Sequence, residues 1–243
     1  MEWYWFPVFF VVAALYSSVG FGGGSTYLAI LSSLGIPSGW VRWIAYLCNI
    51  TVTGKGSIHF FKEEWISLKE ALPWVLASVP MAFLGGSMAL DENLYLKVLG
   101  GTLLISGILM LFTLKALKSD RVFKHRISQW VGGGAIGFLS GLVGIGGGIF
   151  LAPLLHLSSK YSQKKIAALC SIYILFNSIS GAIGFWVKNG LPSPKFEYYL
   201  LIPSVLFGGW LGNRFTFRTN WKNYLRIATA VLIMGVGIRL LLK

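Results

Sequence analysis

The sequence predicts an all-α fold: a polytopic transmembrane helical bundle built from two internal repeats. Three observations lead there. Of the 243 residues, 55% are hydrophobic and 12% charged, about half the charged share of a soluble domain. Uncharged runs are long: 39 residues from Trp3 to Val41 and 33 from Ile127 to Ser159, where one membrane helix needs about 20. And four short motifs of the first half return, in the same order, in the second.

The repeats are read from those motifs. GFGGG at Gly20–Gly24 returns as GIGGG at Gly144–Gly148. Ile44-Ala-Tyr-Leu-Cys48 returns as Ile166-Ala-Ala-Leu-Cys170. Pro80 with Gly85-Gly86 returns as Pro203 with Gly208-Gly209, and Tyr95-Leu-Lys-Val98 as Tyr224-Leu-Arg-Ile227. The offsets run from 122 to 129 residues. Residues 1–114 form the first repeat, 115–126 a basic linker and 127–243 the second repeat, all within one membrane domain.

Each half opens with a long segment whose glycine cluster lies near its middle. Three helices follow, over 43–61, 71–90 and 94–115 in the first half. Their counterparts are 166–187, 197–213 and 221–242, the middle one short for a crossing. If each long segment crosses once, there are eight spans, and Lys and Arg divide 11 against 9 between the two sides with Lys55 left out. If each enters, breaks at its glycines and returns, each half crosses three times and the repeats are inverted. Lys and Arg then divide 14 against 6, a positive-inside bias. The second arrangement is expected: six crossings and two re-entrant hairpins, with the linker cytoplasmic and both termini outside.

The formal charge of +13 would suggest nucleic acid on a soluble protein. Here the cations fall in short gaps between apolar runs, where lipid headgroups are the expected neighbours. Trp3, Trp5, Trp40, Trp43, Trp65, Trp130, Trp186 and Trp221 fall near segment ends, as interfacial aromatics do. No basic n-region or cleavage pattern marks a signal peptide. Two cysteines, Cys48 and Cys170, form neither a disulfide framework nor a metal motif, and no cofactor is expected.

Backbone breaks in hydrocarbon are tolerated only inside protein or beside a watery cavity. Gly22, Gly23 and Gly24, and equally Gly146, Gly147 and Gly148, make such breaks accessible. Helices restarting at Ser25 and Ile149 would turn their N-termini, with free N–H groups and partial positive charge, toward an anion. Gly100-Gly101, Gly132–Gly134 and Gly208-Gly209 read instead as close helix packing.

The stretch GLVGIGGGIFLAPLL from Gly141 to Leu155 resembles the signature of the sulfite exporter TauE/SafE family of membrane permeases. Asn177-Ser-Ile-Ser-Gly181 resembles the Asn-Ser segment of that family's next helix. The resemblance covers essentially the whole chain. It implies export of a sulfur-containing anion such as sulfite or an organosulfonate. The first half departs from the pattern: no proline matches Pro153, and Lys55 stands where many members are apolar or small.

Among intramembrane polar residues, Lys55 is costly in lipid and is expected to face the bundle interior, opposite Asn177 in the repeat alignment. Snorkelling toward the helix end is the alternative. Thr51, Lys55 and His59 share a helix face. Asn49, Asn177 and Ser178 are expected to hydrogen-bond substrate oxygens, or else to tie helices together. Cys48 and Cys170 read as small hydrophobes. The expected site therefore comprises Gly22, Gly23, Gly24, Ser25, Asn49, Lys55, Gly146, Gly147, Gly148, Asn177 and Ser178. No central carboxylate or histidine cluster supports an enzyme. A transporter of a small anion in a prokaryotic inner membrane is expected, with alternating access between the broken segments, and an anion channel is the alternative. The expected partners are the anion, membrane lipids, a coupling proton and a second copy of the chain.

Overall fold

A computed structural model describes residues 3–112, 126–158, 161–192, 196–214 and 222–242. The described residues are all-helical: α1 (Trp5–Ser17), α2 (Gly24–Ser33), α3 (Ser38–Lys62), α4 (Leu68–Ser87), α5 (Glu92–Phe112), α6 (Arg126–Val143), α7 (Gly148–His156), α8 (Gln163–Asn189), α9 (Phe196–Tyr199), α10 (Leu201–Arg214) and α11 (Lys222–Leu241). Apart from Arg126, the basic linker lies outside the described residues. By length and composition α5 and α8 qualify as membrane spans. Large apolar side chains are exposed around the perimeter, among them Leu72, Phe112, Val187, Phe207 and Val231, a surface suited to lipid rather than water.

Local chemistry sets the helix ends. Ser67 and Glu70 form a reciprocal capping box that starts α4, and the Ser162 hydroxyl accepts from the Lys165 N–H to start α8. Lys165 also reaches Glu70 at 2.5 Å, tying the two starts together. Pro73 and Pro80 lie within α4, and each leaves the carbonyl four residues earlier without its intrahelical donor.

The ends of α3, Ser38 and Lys62, mark the two faces of the bundle. Helix α8 runs antiparallel to α3: the Trp43 and Phe185 rings lie 6.2 Å apart near one face, and the Ser57 and Ser171 hydroxyls 3.2 Å apart nearer the other. Helix α10 runs parallel to α3, with Gly209 beside Val52 and Asn213 beside Gly56. Helix α1 runs parallel to α10. The Ser204 hydroxyl donates to the Phe6 carbonyl at 2.5 Å, and Gly212 abuts Ala14. Helix α2 begins beside Asn49 and ends just before α3 starts, so it runs back toward the Ser38 face.

The second half does the reverse. Helix α6 follows α4, with Gly133 on Trp74 and Gly141 on Ala82, and reaches Arg42 near the Ser38 face. Helix α7 starts beside Cys170 and Ile174 and leads back to the start of α8. Packing crosses between the halves: α1 on α10, α6 on α4, α2 on α11 and α7 on α5. Small residues bring the backbones together, as at Gly86 against Gly181 and Gly100 against Gly237, the device that drives helix association where lipid and side chains are equally apolar.

A candidate site between two glycine-broken segments

Both long segments break at their glycines. Helix α2 is capped by Gly23 at φ 85° and α7 by Gly147 at φ 87°. This left-handed geometry strains any residue with a Cβ. An aromatic ring covers each cap: a Cβ on Gly23 would lie 2.9 Å from the Tyr27 hydroxyl oxygen, and one on Gly147 2.8 Å from Tyr173 Cε1.

The two breaks meet at Asn49. Its amide nitrogen donates to the carbonyls of Gly144 at 3.4 Å and Ile145 at 3.2 Å. Its Oδ1 is buried without a protein partner and would lie 2.5 Å from a Cβ on Gly22. A Cβ on Gly24 would lie 2.6 Å from the Ile145 carbonyl oxygen, so the start of α2 touches the second break directly. Gly146 faces Asn49, Ile174 and the Ser178 hydroxyl, and Gly148 rests on Ile174 and Cys170. Ser25 is buried in the first turn of α2.

Asn177 and Ser178 are fully buried, and neither the Asn177 amide nor the Ser178 hydroxyl has a protein hydrogen-bond partner. Ser178 touches the second break. Asn177 lies one turn along α8 from Tyr173, the ring that covers Gly147. Two helix N-termini, each worth about half a positive charge, thus share one buried neighbourhood with unpaired amide and hydroxyl groups. Both cysteines are buried. Among the described residues no three His, Cys, Asp or Glu side chains converge as a metal site would require.

The structure brings Gly22, Gly23, Gly24, Ser25, Asn49, Gly146, Gly147, Gly148 and Ser178 together, with Asn177 adjacent. It does not bring Lys55 there. The expectation that Lys55 faces the interior is corrected: its side chain is exposed, in a groove with Lys62 and Arg214. The six-residue step from Asn49 turns Lys55 about 240° around α3, away from the breaks.

Arg42, a cation at the edge of the uncharged run that ends at Val41, is 3% exposed. Its guanidinium donates to the Met88, Gly86, Gly85 and Gly141 carbonyls at 3.2, 3.0, 3.5 and 3.4 Å. It also lies 5.0 Å from the Phe185 ring centroid. No described carboxylate pairs with it. The Tyr46 hydroxyl also donates to Gly141, and that of Tyr95 to Val143 at 3.1 Å. Donors from α3 and α5 therefore receive the last carbonyls of α6, where the helix dipole is negative. Arg42 also lines a cavity of about 340 Å³ at the Ser38 face, with Trp40, Leu90, Phe185 and Asn189. The signal in the sequence was the spacing of Arg42 and Tyr46, one helical turn apart on an otherwise apolar stretch.

An apolar helical bundle holding two broken segments whose N-termini share a buried polar point fits a membrane transporter, the class that its relatives' names give. The chain belongs to the sulfite exporter TauE/SafE family, whose sequence model matches residues 5–240. It is 32% identical over 240 residues to the probable membrane transporter protein y4hK of Sinorhizobium fredii, covering 96% of this chain and 95% of that one. It is 28% identical over 253 residues to the probable membrane transporter protein MJ0441 of Methanocaldococcus jannaschii, covering 96% and 92%. The probable membrane transporter protein YunE of Bacillus subtilis is 24% identical over 80% of this chain and 78% of its own. No solved structure matches the chain.

Proposed function

We propose that this transporter carries a small sulfur-containing anion, sulfite or an organosulfonate, outward across a prokaryotic inner membrane by alternating access. One observation carries the reading: the N-termini of α2 and α7 meet at Asn49 beside the unpartnered groups of Asn177 and Ser178. Such termini favour an oxyanion, and the amides and hydroxyl offer hydrogen bonds to its oxygens. The family's name supplies the sulfur chemistry.

The same reading takes the halves as inverted repeats, each with a re-entrant hairpin (α1–α2 and α6–α7) and three crossings. The antiparallel run of α3 and α8, which carry equivalent motifs, supports this, as does the crossed packing of α1 on α10 and α6 on α4. Rocking of one half against the other about Asn49 would then expose the anion to each face in turn. The excess of Lys and Arg makes the Lys62 face cytoplasmic.

The test is flux in proteoliposomes with sulfite, thiosulfate, sulfonates and carboxylates, with and without a proton gradient. Saturable flux and counterflow of a sulfur oxyanion are expected, and unsaturable flux without counterflow would mean a channel instead. Cysteines at Ser119 and Lys188 should label from opposite sides of the membrane. Labelling of both from one side would sink the inverted arrangement.

A further inference from the structure

We propose that the groove between α3 and α10 at the Lys62 face binds the phosphate of an anionic phospholipid. The groove encloses about 320 Å³ and is lined by Lys55, Ile58, His59, Lys62, Trp210, Asn213 and Arg214. None of these lining residues is acidic. Glu63 and Glu64 follow in the turn after α3 but do not line it.

Lys55, His59 and Lys62 recur at four and three residues, one stripe of α3. Lys55 lies seven residues before the helix end, roughly 10 Å deeper, the depth from which a lysine stem reaches up to headgroup phosphate. From α10, Arg214 closes the third side, its guanidinium carbon 3.9 Å from the Trp210 ring centroid. That stacking holds the fork in place before a ligand arrives. Three cations sharing one groove repel one another, and a phosphate between them turns that cost into attraction.

The surroundings select a lipid over a free anion. The groove lies on the perimeter, turned away from Asn49; Ile58, which lines it, is 60% exposed, and Phe207, on the same stripe of α10 as Trp210 and Arg214, is 62% exposed. Cations at the membrane end with apolar surface below match a phosphate with its acyl chains. The depth of Lys55, costly for a transmembrane lysine with no ligand, is accounted for by this site.

The experiment compares the detergent-purified full chain with the triple variant Lys55→Gln, Lys62→Gln, Arg214→Gln, and with Lys188→Gln as a charge control at the other face. Phosphatidylglycerol, phosphatidylcholine and inorganic phosphate are added separately, and thermal midpoint and lipid retention in native mass spectrometry are read. Phosphatidylglycerol is expected to raise the midpoint of the wild type and of Lys188→Gln, with phosphatidylcholine and phosphate having little effect. The triple variant should fold alone with a similar midpoint and bind phosphatidylglycerol roughly a hundredfold more weakly, at about fivefold per cation. An undiminished response in the triple variant would overturn the proposal, as would an equal response to inorganic phosphate. Loss of a dimer in the triple variant without change in lipid retention would make the groove a subunit interface and overturn it as well. None of these outcomes depends on what the protein transports.

Discussion

The Asn49 amide nitrogen lies 3.2 Å from the Ile145 carbonyl oxygen, so a helix of the first half holds the break of the second. The same side chain leaves Oδ1 unpartnered beside Gly22 and Gly24. One asparagine thus touches both broken segments, with its donor engaged and its acceptor free. Asn49→Ala should abolish most flux and cost about 1–3 kcal/mol of stability, because the Gly144 and Ile145 carbonyls lose their donor. Asn49→Asp should be worse for anion flux at equal expression, since a fixed carboxylate would occupy the helix N-termini that an anion needs. Wild-type flux in Asn49→Asp would remove this residue from the pathway.

Gly23 and Gly147 hold left-handed angles under the rings of Tyr27 and Tyr173. Gly23→Ala or Gly147→Ala should cost about 1–2 kcal/mol from backbone strain alone, with a further loss from contact with the ring. Gly23→Leu and Gly147→Leu should still insert but carry no flux. Normal transport in both leucine variants, measured at matched membrane levels, would leave these glycines a packing role only.

Arg42 bonds four carbonyls at the ends of α4 and α6. Arg42→Met should lower the thermal midpoint sharply, because it strips a charged donor from buried acceptors, each such bond being worth about 1.5–3 kcal/mol. Arg42→Lys should recover little, since a point ammonium cannot span the positions that a planar fork reaches. A midpoint for Arg42→Met within a degree of wild type would show that these carbonyls find other donors.

Lys55 faces the perimeter groove rather than the breaks. Lys55→Met should therefore transport with unchanged apparent affinity, read from flux against substrate concentration. A tenfold loss of affinity in this variant would place the ammonium in the anion path after all.

Most of the architecture was legible in the sequence because lipid imposes a simple rule. Every crossing segment must be apolar and must satisfy its own backbone. Charges therefore mark the gaps, and the observed extents of α3, α4, α5, α8 and α11 lie within a few residues of those expected. The GFGGG and GIGGG clusters announced the breaks, because glycine takes the left-handed angles found at Gly23 and Gly147 without strain. The long uncharged runs announced that one straight helix could not use them up.

Only the tertiary structure decided which way each polar side chain points. Helical periodicity groups Thr51, Lys55 and His59 on one stripe but does not say whether it faces protein or lipid. The packing of α10 on α3 settled that Lys55 lies in an outer groove. It likewise turned Arg42, by sequence an ordinary cation near a helix start, into a buried donor to another helix's C-terminus. The meeting of Asn49 with Ile145, 96 residues away in the chain, has no local signature at all. A sequence fixes the chemistry of a helix and the angles its glycines permit. Which carbonyl an amide finds depends on where separate helices dock, and that is decided by packing between residues distant in the chain.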